Sequence, residues 1–377
     1  MYYYVEVIEM KDIIIQNFNQ ITDNRCQCDV KHKLTDILIL IMCAVLCGID
    51  TIAGIVEYGN QKKKMLSEKF DIDKIPSEAT VCRILNMVNA DMIAVCIVNI
   101  MRELIGCKSD IIAIDGKAIC STEKMKGYKR GLRIVTAYMT DNGVSIGQLS
   151  VDSKTNEIPC VRELLDLIDV KNKIITADAE HCQKDTIAKI IQKHGDYCIC
   201  LKANQKQFYD DVKLYYESVI KGEFECETAY TSEKNRERYE IRKCYVFKDI
   251  DWLDCVGEWE GLKSIFAIQR KITIGNDTTE EVSFYISSLE TTPERYLETV
   301  RKHWRIESMH WQLDMVFNED NCRVFSENGQ KTLNMFRKTA LALHKQYKEQ
   351  AGHKKSGKKF MLSCLLNDDE LFNVMML

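Results

Sequence analysis

The chain has 377 residues, of which 46% are hydrophobic and 29% charged, and its formal net charge is −4. This is the composition of a soluble globular protein that is long enough for more than one domain. The longest apolar run, Ile37 to Ile49, has 13 residues, too few to cross a bilayer, so we expect a buried helix and no membrane segment. The N-terminus lacks the features of a signal peptide, which predicts a cytoplasmic protein.

The 17 cysteines are scattered singly through apolar segments, without a C-x-x-C pair. Cys26-x-Cys28 is the nearest approach to a metal-ligand pair. This pattern favours reduced, mostly buried thiols over disulfides or zinc.

Positive charge is concentrated in two places although the chain as a whole is acidic. Residues 331–359 contain nine Lys or Arg and one acid, and residues 117–133 contain six Lys or Arg and one acid. Basic runs are often solvated faces, but two of them in an acidic chain indicate a surface for a polyanion.

Residues 1–107 are predicted to form an all-helical N-terminal domain. The helix Ser77–Val88, with Arg83, could enter a DNA major groove, and a packing role is the alternative. The predicted helices of this domain are Leu34–Gly48, Ile52–Phe70, Ser77–Val88 and Ala90–Ile105.

From Ile111 the periodicity changes to that of strands, and a mixed sheet with helices packed on it is expected. Three strands come first, with Asp141-Asn142-Gly143 as the turn of a hairpin. The alternation that follows is helix Ile158–Leu167, strand Lys173–Asp178, helix Gln183–His194 and strand Tyr197–Leu201.

Residues 205–290 interrupt this alternation with strand-rich sequence and are interpreted as an insertion. Pro293 then precedes a long helix, and residues 331–377 form a basic helical C-terminal segment. The strands predicted in the insertion are Tyr239–Phe247, Ser264–Ile274 and Val282–Leu289.

The long helix carries charged side chains inside its apolar face. At 100° per residue, one stripe contains His303, Glu307, His310 and Asp314. Apolar residues lie on both sides of that stripe, and the two tryptophans among them, Trp304 and Trp311, are expected in the core, with base stacking as the alternative. A carboxylate among apolar side chains costs several kcal/mol unless it is paired, so Glu307 needs a partner.

Two aspartates are candidates for that partnership, because each follows a predicted buried strand. Asp115 follows Ile111–Ile114, and Asp178 follows Ile174–Ala177. The carboxyl ends of such strands are where sheets of this kind place ligands. Together with Glu307 they could hold two Mg²⁺ or Mn²⁺ ions, an arrangement suited to phosphodiester chemistry.

Two other kinds of metal site compete with this interpretation. His303, Glu307 and His310 could bind zinc on one helix, although that would leave both aspartates unexplained. A di-iron site would require a second E-x-x-H, which the sequence lacks. The P-loop, dinucleotide-binding and serine-hydrolase motifs are also absent from the sequence.

Several segments together resemble the DDE transposases of insertion sequences, in the group of H-repeat-associated proteins. The similarity runs in order over nearly the whole chain. The segments are A-I-D-G-K (113–117), V-D-S-K-T-N-E-I-P (151–159), I-I-T-A-D-A-E-H-C-Q-K-D (174–185), Y-C-I-C-L-K-A-N-Q (197–205), F-Y-I-S-S-L (284–289) and H-W-R-I-E...H-W-Q-L-D-M-V-F-N-E-D (303–320).

The resemblance implies a ribonuclease-H-like catalytic domain at residues 108–330, with a β-rich insertion at about 205–290. It implies that Asp115, Asp178 and Glu307 form the DDE triad and hold the metal ions. The partner would be DNA, as element ends and target, bound by a homodimer. The residues expected to contact DNA are Lys117, Arg238, Arg242, His303 and His310.

Two other functions were considered beside that of an active transposase. Departures from the family pattern, such as Arg236-Glu237 in place of a His-Gly pair, favour a catalytically impaired or domesticated DNA-binding protein. A stand-alone metal nuclease is the alternative among enzymes.

Overall fold

The computed structural model describes residues 2–26, 30–106, 109–125, 131–151 and 156–377, with side chains from residue 10 onward. Cys28, from the candidate metal pair, and Lys126, Lys129 and Arg130, from the basic run, lie outside the described residues. The chain divides into two compact units. The first contains residues 2–106, 116–151 and 308–377, and the second contains Ser109–Asp115 and Asn156–Glu307. The domain boundaries expected from the sequence remain a prediction.

The elements follow one another in a mixed α/β order. The helices are α1 (Tyr2–Asn19), α2 (Leu34–Leu46), α3 (Ile52–Gln61), α4 (Lys63–Phe70), α5 (Glu78–Met87), α6 (Ala90–Leu104), α7 (Glu157–Leu167), α8 (Lys184–Gln192), α9 (Lys206–Ile220), α10 (Pro293–Phe317), α11 (Glu327–Gln350), α12 (Gly357–Leu366) and α13 (Asp368–Met375). The strands are β1 (Ile111–Ile119), β2 (Leu132–Met139), β3 (Val144–Ser150), β4 (Ile174–Ala177), β5 (Asp196–Leu201), β6 (Glu227–Asn235), β7 (Arg238–Phe247), β8 (Ser264–Ile274) and β9 (Asp277–Ser287).

The N-terminal region is helical, as predicted. α2 is buried along its whole length, which confirms the interpretation of the apolar run. The single helix expected over Ile52–Phe70 is instead two, because Lys62 leaves helical geometry at φ −100° and ψ 16°. Gly59 and Asn60, both weak helix formers, come just before this break.

No single helix among the described residues is both long and apolar enough to span a membrane. α5 and α6 meet that test only as a pair, and they are bent by 92° at their junction.

The first unit also contains the predicted hairpin. β2 and β3 are antiparallel, with Met139 opposite Val144. Gly143 in the turn has a φ of 78°, a left-handed conformation that glycine adopts without a Cβ clash. The Asp-Asn-Gly signal in the sequence is therefore explained by backbone geometry.

The second unit is built on a large mixed sheet with flanking helices. Its strands lie in the order β1-β4-β5-β9-β8-β7-β6. β1, β4 and β5 are parallel, and the remaining neighbours are antiparallel. β9 pairs directly with β5, so the strands of the insertion extend the sheet that carries the two aspartates.

Two elements of the insertion were missed from the sequence. β6 was missed because most of its side chains are exposed, so it lacks a buried face to give alternation. α9 buries only Phe208, Val212 and Tyr216, spaced four residues apart. Such a narrow helical stripe is easily overlooked in a segment otherwise rich in strands.

Helix α10 packs on this sheet through its first turns. Tyr296, Leu297 and Val300 are buried in one cluster with residues of β1, β4, β5, β7 and β8. Only part of the predicted apolar face of α10 is buried. Trp304 and Trp311 are 49% and 62% exposed, so the expectation that they lie in the core is wrong.

Candidate active site

Asp115 and Asp178 follow paired positions on neighbouring parallel strands. The last residue pair in the β1–β4 register is Ile114 opposite Ala177. Asp115 and Asp178 come next, so both leave the same edge of the sheet. The sequence reasoning ended the first strand before Asp115, whereas β1 continues to Ile119. What ends at this point is its pairing with β4.

Helix α10 is tied to this edge by a histidine one turn before Glu307. The His303 Nδ1 atom lies 3.0 Å from the hydroxyl of Thr176 on β4. Its Nε2 atom lies 4.0 Å from a carboxylate oxygen of Asp178. Val300, one turn before His303, is buried in the core cluster. The helix is therefore fixed against the strands up to His303, and Glu307 lies one turn beyond it.

The three carboxyl groups influence one another electrostatically. Glu307 is solvent-exposed, yet the pKa of its carboxyl group is raised to about 7. Partial desolvation is the largest cause, and the negative charges of Asp115 and Asp178 add to it, while Lys202 acts in the opposite direction. Carboxylates that repel one another in this way are stabilised by a bound cation.

Two histidines beside these acids, His181 and His303, do not supply that positive charge. Burial lowers the pKa of His303, although Asp178 and Asp115 act in the opposite direction. Burial likewise lowers the pKa of His181, which is 1% exposed and faces Glu157 at 3.8 Å. Both rings are therefore predominantly neutral at pH 7.

The turn after Asp178 is braced by side chains to which the sequence reasoning gave no role. Asn204 donates through Nδ2 to the carbonyl of Ala179 at 2.7 Å, and Gln205 donates through Nε2 to the carbonyl of Cys182 at 3.0 Å. Both follow β5, whose end lies beside that of β4. Their position directly after a predicted buried strand was the available signal.

The possible metal ligands are widely spaced. Among the described residues, no three His, Cys, Asp or Glu side chains lie close enough together to hold a metal ion as they stand. This applies to the aspartates with Glu307 and equally to the zinc alternative with His303 and His310. The donor chemistry nevertheless fits a hard divalent cation, because the cluster offers carboxylate oxygens that repel one another.

The two arginines predicted to contact DNA are bound to a buried glutamate. Arg238 and Arg242 lie 2.9 Å and 2.7 Å from the Glu240 carboxylate, and Arg270 lies 2.5 Å from it. Burial alone would raise the pKa of Glu240, but the arginines outweigh it and keep that pKa low. They line a cavity of about 340 Å³ that Trp304 borders.

Lys117, which is predicted to contact DNA, lies in a cluster of ion pairs within the first unit. Its Nζ atom lies 2.7 Å from Asp314, 3.2 Å from Glu319 and 3.6 Å from Asp320, and its side chain is 11% exposed. Arg337 joins this group through Glu319 at 3.1 Å. We call these five residues the buried ion-pair network; it also gives Asp314 a partner.

The C-terminal basic run is only partly a surface. Lys331, Arg337 and Lys338 are buried. Lys331 pairs with Asp91 at 2.6 Å, and Lys338 donates to the hydroxyl of Thr136 at 2.7 Å. These side chains therefore bond within the first unit, whereas Lys354, Lys358 and Lys359 are exposed.

Comparison with known proteins places these features in a family. The model of the transposase DDE domain matches residues 106–343, and the DDE_Tnp_1-associated model matches residues 15–101. The "H repeat-associated putative transposase YhhI" of Escherichia coli (strain K12) is 32% identical over 89% of this chain and 90% of its own length. The "Putative transposase YncI" of Escherichia coli O157:H7 is 32% identical over 94% of this chain and 93% of its own length.

Among solved structures, a piggyBac transposase synaptic complex with hairpin DNA matches 98% of this chain and 78% of its own, at 10% identity and a TM-score of 0.43. That likeness is too distant to assign a fold or a function. The family model matches more than half of the chain, and both bacterial relatives are 32% identical to it over most of its length. The chain therefore belongs to the DDE transposases of insertion sequences, in the group of H-repeat-associated proteins.

Proposed function

We propose that Asp115, Asp178 and Glu307 are the catalytic triad and the metal ligands of this transposase. The observation that supports the proposal most strongly is the adjacency of Asp115 and Asp178 at the end of the β1–β4 pairing, together with their combined effect on the pKa of Glu307. We further propose that the sheet belongs to a ribonuclease-H-like core, extended by the insertion strands.

The reaction consists of two phosphoryl transfers at this site. Water attacks a phosphodiester at the element end and releases a 3′-hydroxyl. That hydroxyl then attacks a phosphodiester of the target, forming a new phosphodiester and releasing the target strand's 3′-hydroxyl. Two Mg²⁺ or Mn²⁺ ions would activate the attacking oxygen and stabilise the leaving oxygen. The three carboxylates would hold the ions, and no side-chain nucleophile is needed.

The neighbouring residues would position this cluster. The Nδ1 atom of His303 bonds Thr176 on β4 and its Nε2 atom lies 4.0 Å from Asp178, so as a predominantly neutral ring it would lie beside Asp178 without competing with a cation. Asn204 and Gln205 would hold the turn that follows Asp178. Together these contacts hold α10 and the turn after Asp178 against the strands, and a catalytic cluster requires such rigid support.

DNA contacts and assembly form part of the same proposal. Arg238 and Arg242 share one glutamate with Arg270, so their guanidinium groups could also meet a phosphate beside Trp304. A homodimer on DNA follows from the resemblance, and both the homodimer and the cytoplasmic location remain predictions. Light scattering of the protein–DNA complex would test the dimer.

A nicking and joining assay tests the function. Purified protein with Mg²⁺ and a duplex carrying the element end should nick that end and join it to a second duplex. Asp115→Asn should abolish both steps without weakening DNA binding. Asp110→Asn, a matched change just before β1 at the exposed partner of Arg295, should retain both.

The impaired DNA-binding protein is the second candidate, and the family match does not favour it. It predicts DNA binding without cleavage by the wild-type chain. A stand-alone nuclease would nick but never join. Either pattern would overturn the proposed function.

A further inference from the structure

A groove in the first unit combines exposed apolar side chains with lysines. It has a volume of about 870 Å³ and is lined by the second half of α10, by α11 and by the segment leading into α12. Trp311 is 62% exposed and Met315 is 53% exposed on its α10 side. Exposed apolar side chains that lie together in a groove mark interaction sites more often than singly scattered ones do.

The charge of the groove is unbalanced. Four lysines line it against a single acid, Glu349. Two of the lysines, Lys354 and Lys358, are exposed, and neither forms an ion pair within the described parts of the chain. The lysines are Lys345, Lys348, Lys354 and Lys358.

The arginine-lined cavity of the second unit shows why this count matters. Three arginines line that cavity, but Glu233, Glu240 and Glu281 line it as well, so its formal charges cancel. The groove beside Trp311 has no such compensation from its lining residues. It is therefore the better site for a polyanion, in a chain whose net charge is −4.

The exposed tryptophan specifies the form of that polyanion. A duplex presents phosphates outward and keeps its bases stacked inside, so it offers an indole ring little to stack on. Unpaired nucleotides expose base faces, and aromatic side chains within a positive groove bind them by stacking. We propose that this groove binds a single-stranded segment of DNA, with Trp311 stacking on a base and the lysines contacting phosphates.

This inference rests on the proposed function in one respect, since it takes DNA as the substrate. It adds a contact surface that uses none of the three carboxylates. Binding can therefore be measured in EDTA, where metal-dependent cleavage does not occur.

The test is fluorescence anisotropy of the full chain with a labelled, mixed-sequence single strand of about 20 nucleotides, enough to span one site. Trp311→Ala should weaken binding of the single strand about tenfold or more, within the range of one lost stacking contact. The same variant should leave the affinity for the matching duplex unchanged. Because Trp311 is exposed, the variant should fold normally.

The lysines are tested by the double variant Lys354→Gln, Lys358→Gln. Each phosphate contact on a single strand contributes about 0.7 to the slope of log affinity against log salt, so that slope should fall by about 1.4. Lys221→Gln with Lys263→Gln, two exposed lysines of the second unit, removes the same charge elsewhere and should leave the slope unchanged. Tyr230→Ala, at an aromatic side chain 71% exposed, is the matched control for Trp311.

Three results would overturn the proposal. The first is single-strand affinity that is unchanged in both groove variants. The second is an equal loss on single strand and duplex. The third is a protein that sediments as a dimer without DNA and becomes monomeric with Trp311→Ala, which would assign the groove to a second copy. If the wild type nicks and joins DNA but one of these results is found, the groove proposal fails and the proposed function stands. If the wild type does not cleave DNA but the groove variants bind single strands more weakly, the proposed function fails and the groove proposal stands.

Discussion

Glu307 and Glu319 are 12 positions apart in the sequence, yet their surroundings move the pKa values of their carboxyl groups in opposite directions. Desolvation and two aspartates raise the pKa of Glu307 to about 7. Glu319 is completely buried, which by itself would raise its pKa, but Arg337 and Lys117 lower it to about 2. The sign of the neighbouring charges therefore outweighs the degree of burial.

The two clusters have different uses for that reason. In the buried ion-pair network each acid has a cation within the chain, so breaking a pair should reduce stability. In the carboxylate cluster the acids repel one another and await a cation from outside, so removing one should cost activity and little stability. Each of the following predictions tests this contrast.

The largest effect on stability is expected for Arg337→Met. Arg337 is fully buried and pairs with Asp50 at 2.8 Å and with Glu319 at 3.1 Å. Leaving these acids without their partner should lower the free energy of unfolding by about 3–5 kcal/mol, measured by urea denaturation. Arg301→Met, at the exposed pair with Glu233, is the control and should cost less than about 1 kcal/mol. Equal losses in both variants would contradict a stabilising network.

Acid should destabilise the protein through Glu319. Its folded pKa of about 2 lies below its ordinary value of 4.5, so the stabilisation is complete above that ordinary value and is lost as pH falls toward 2. The shift corresponds to roughly 3 kcal/mol. Urea midpoints measured between about pH 5 and pH 3 should fall for the wild type and should fall less for Glu319→Gln. Parallel curves for the two proteins would contradict the assignment.

Lys117→Met should have an intermediate effect. It removes the cation that meets Asp314 at 2.7 Å and Glu319 at 3.2 Å, at a cost of about 1.5–3 kcal/mol. Lys117→Arg keeps the charge and should recover part of that loss in thermal unfolding. A methionine variant as stable as the wild type would show that Lys117 is not part of the network.

The smallest change in stability is expected for Glu307→Gln. In EDTA its free energy of unfolding should stay within about 0.5 kcal/mol of the wild type or rise, because the substitution relieves repulsion from Asp115 and Asp178. Glu298→Gln on the same helix is the matched control and should be slightly destabilising, since Glu298 binds Arg295 and Lys302. A loss above about 1 kcal/mol for Glu307→Gln would contradict the contrast.

The parts of the fold and of the candidate site that depend on local sequence pattern could be predicted. The hairpin turn, the buried apolar helix and the alternation from Ile158 to Leu201 follow from periodicity and turn chemistry. So does the expectation that Asp115 and Asp178 each follow a buried strand, at the ends where such sheets place ligands. The register that places Ile114 opposite Ala177 required the structure.

What the sequence could not supply depends on partners that are distant along the chain. Periodicity indicates which residues of α10 share a face, but not that the neighbouring elements leave Trp304 and Trp311 uncovered. Lys117 and Arg337 resemble surface cations until Glu319 and Asp50 are placed beside them. A charge is read correctly only when its long-range partner is known.

Metal binding tests the central claim most directly, because it asks whether the carboxylates act as one cation site. Titration of the full chain with Mn²⁺, followed by electron paramagnetic resonance, should detect two bound ions per chain for the wild type and for Asp110→Asn. Asp115→Asn and Glu307→Gln should each lose binding, while Lys117→Arg should retain it. Equal Mn²⁺ binding by the wild type and by both carboxylate variants would contradict the claim.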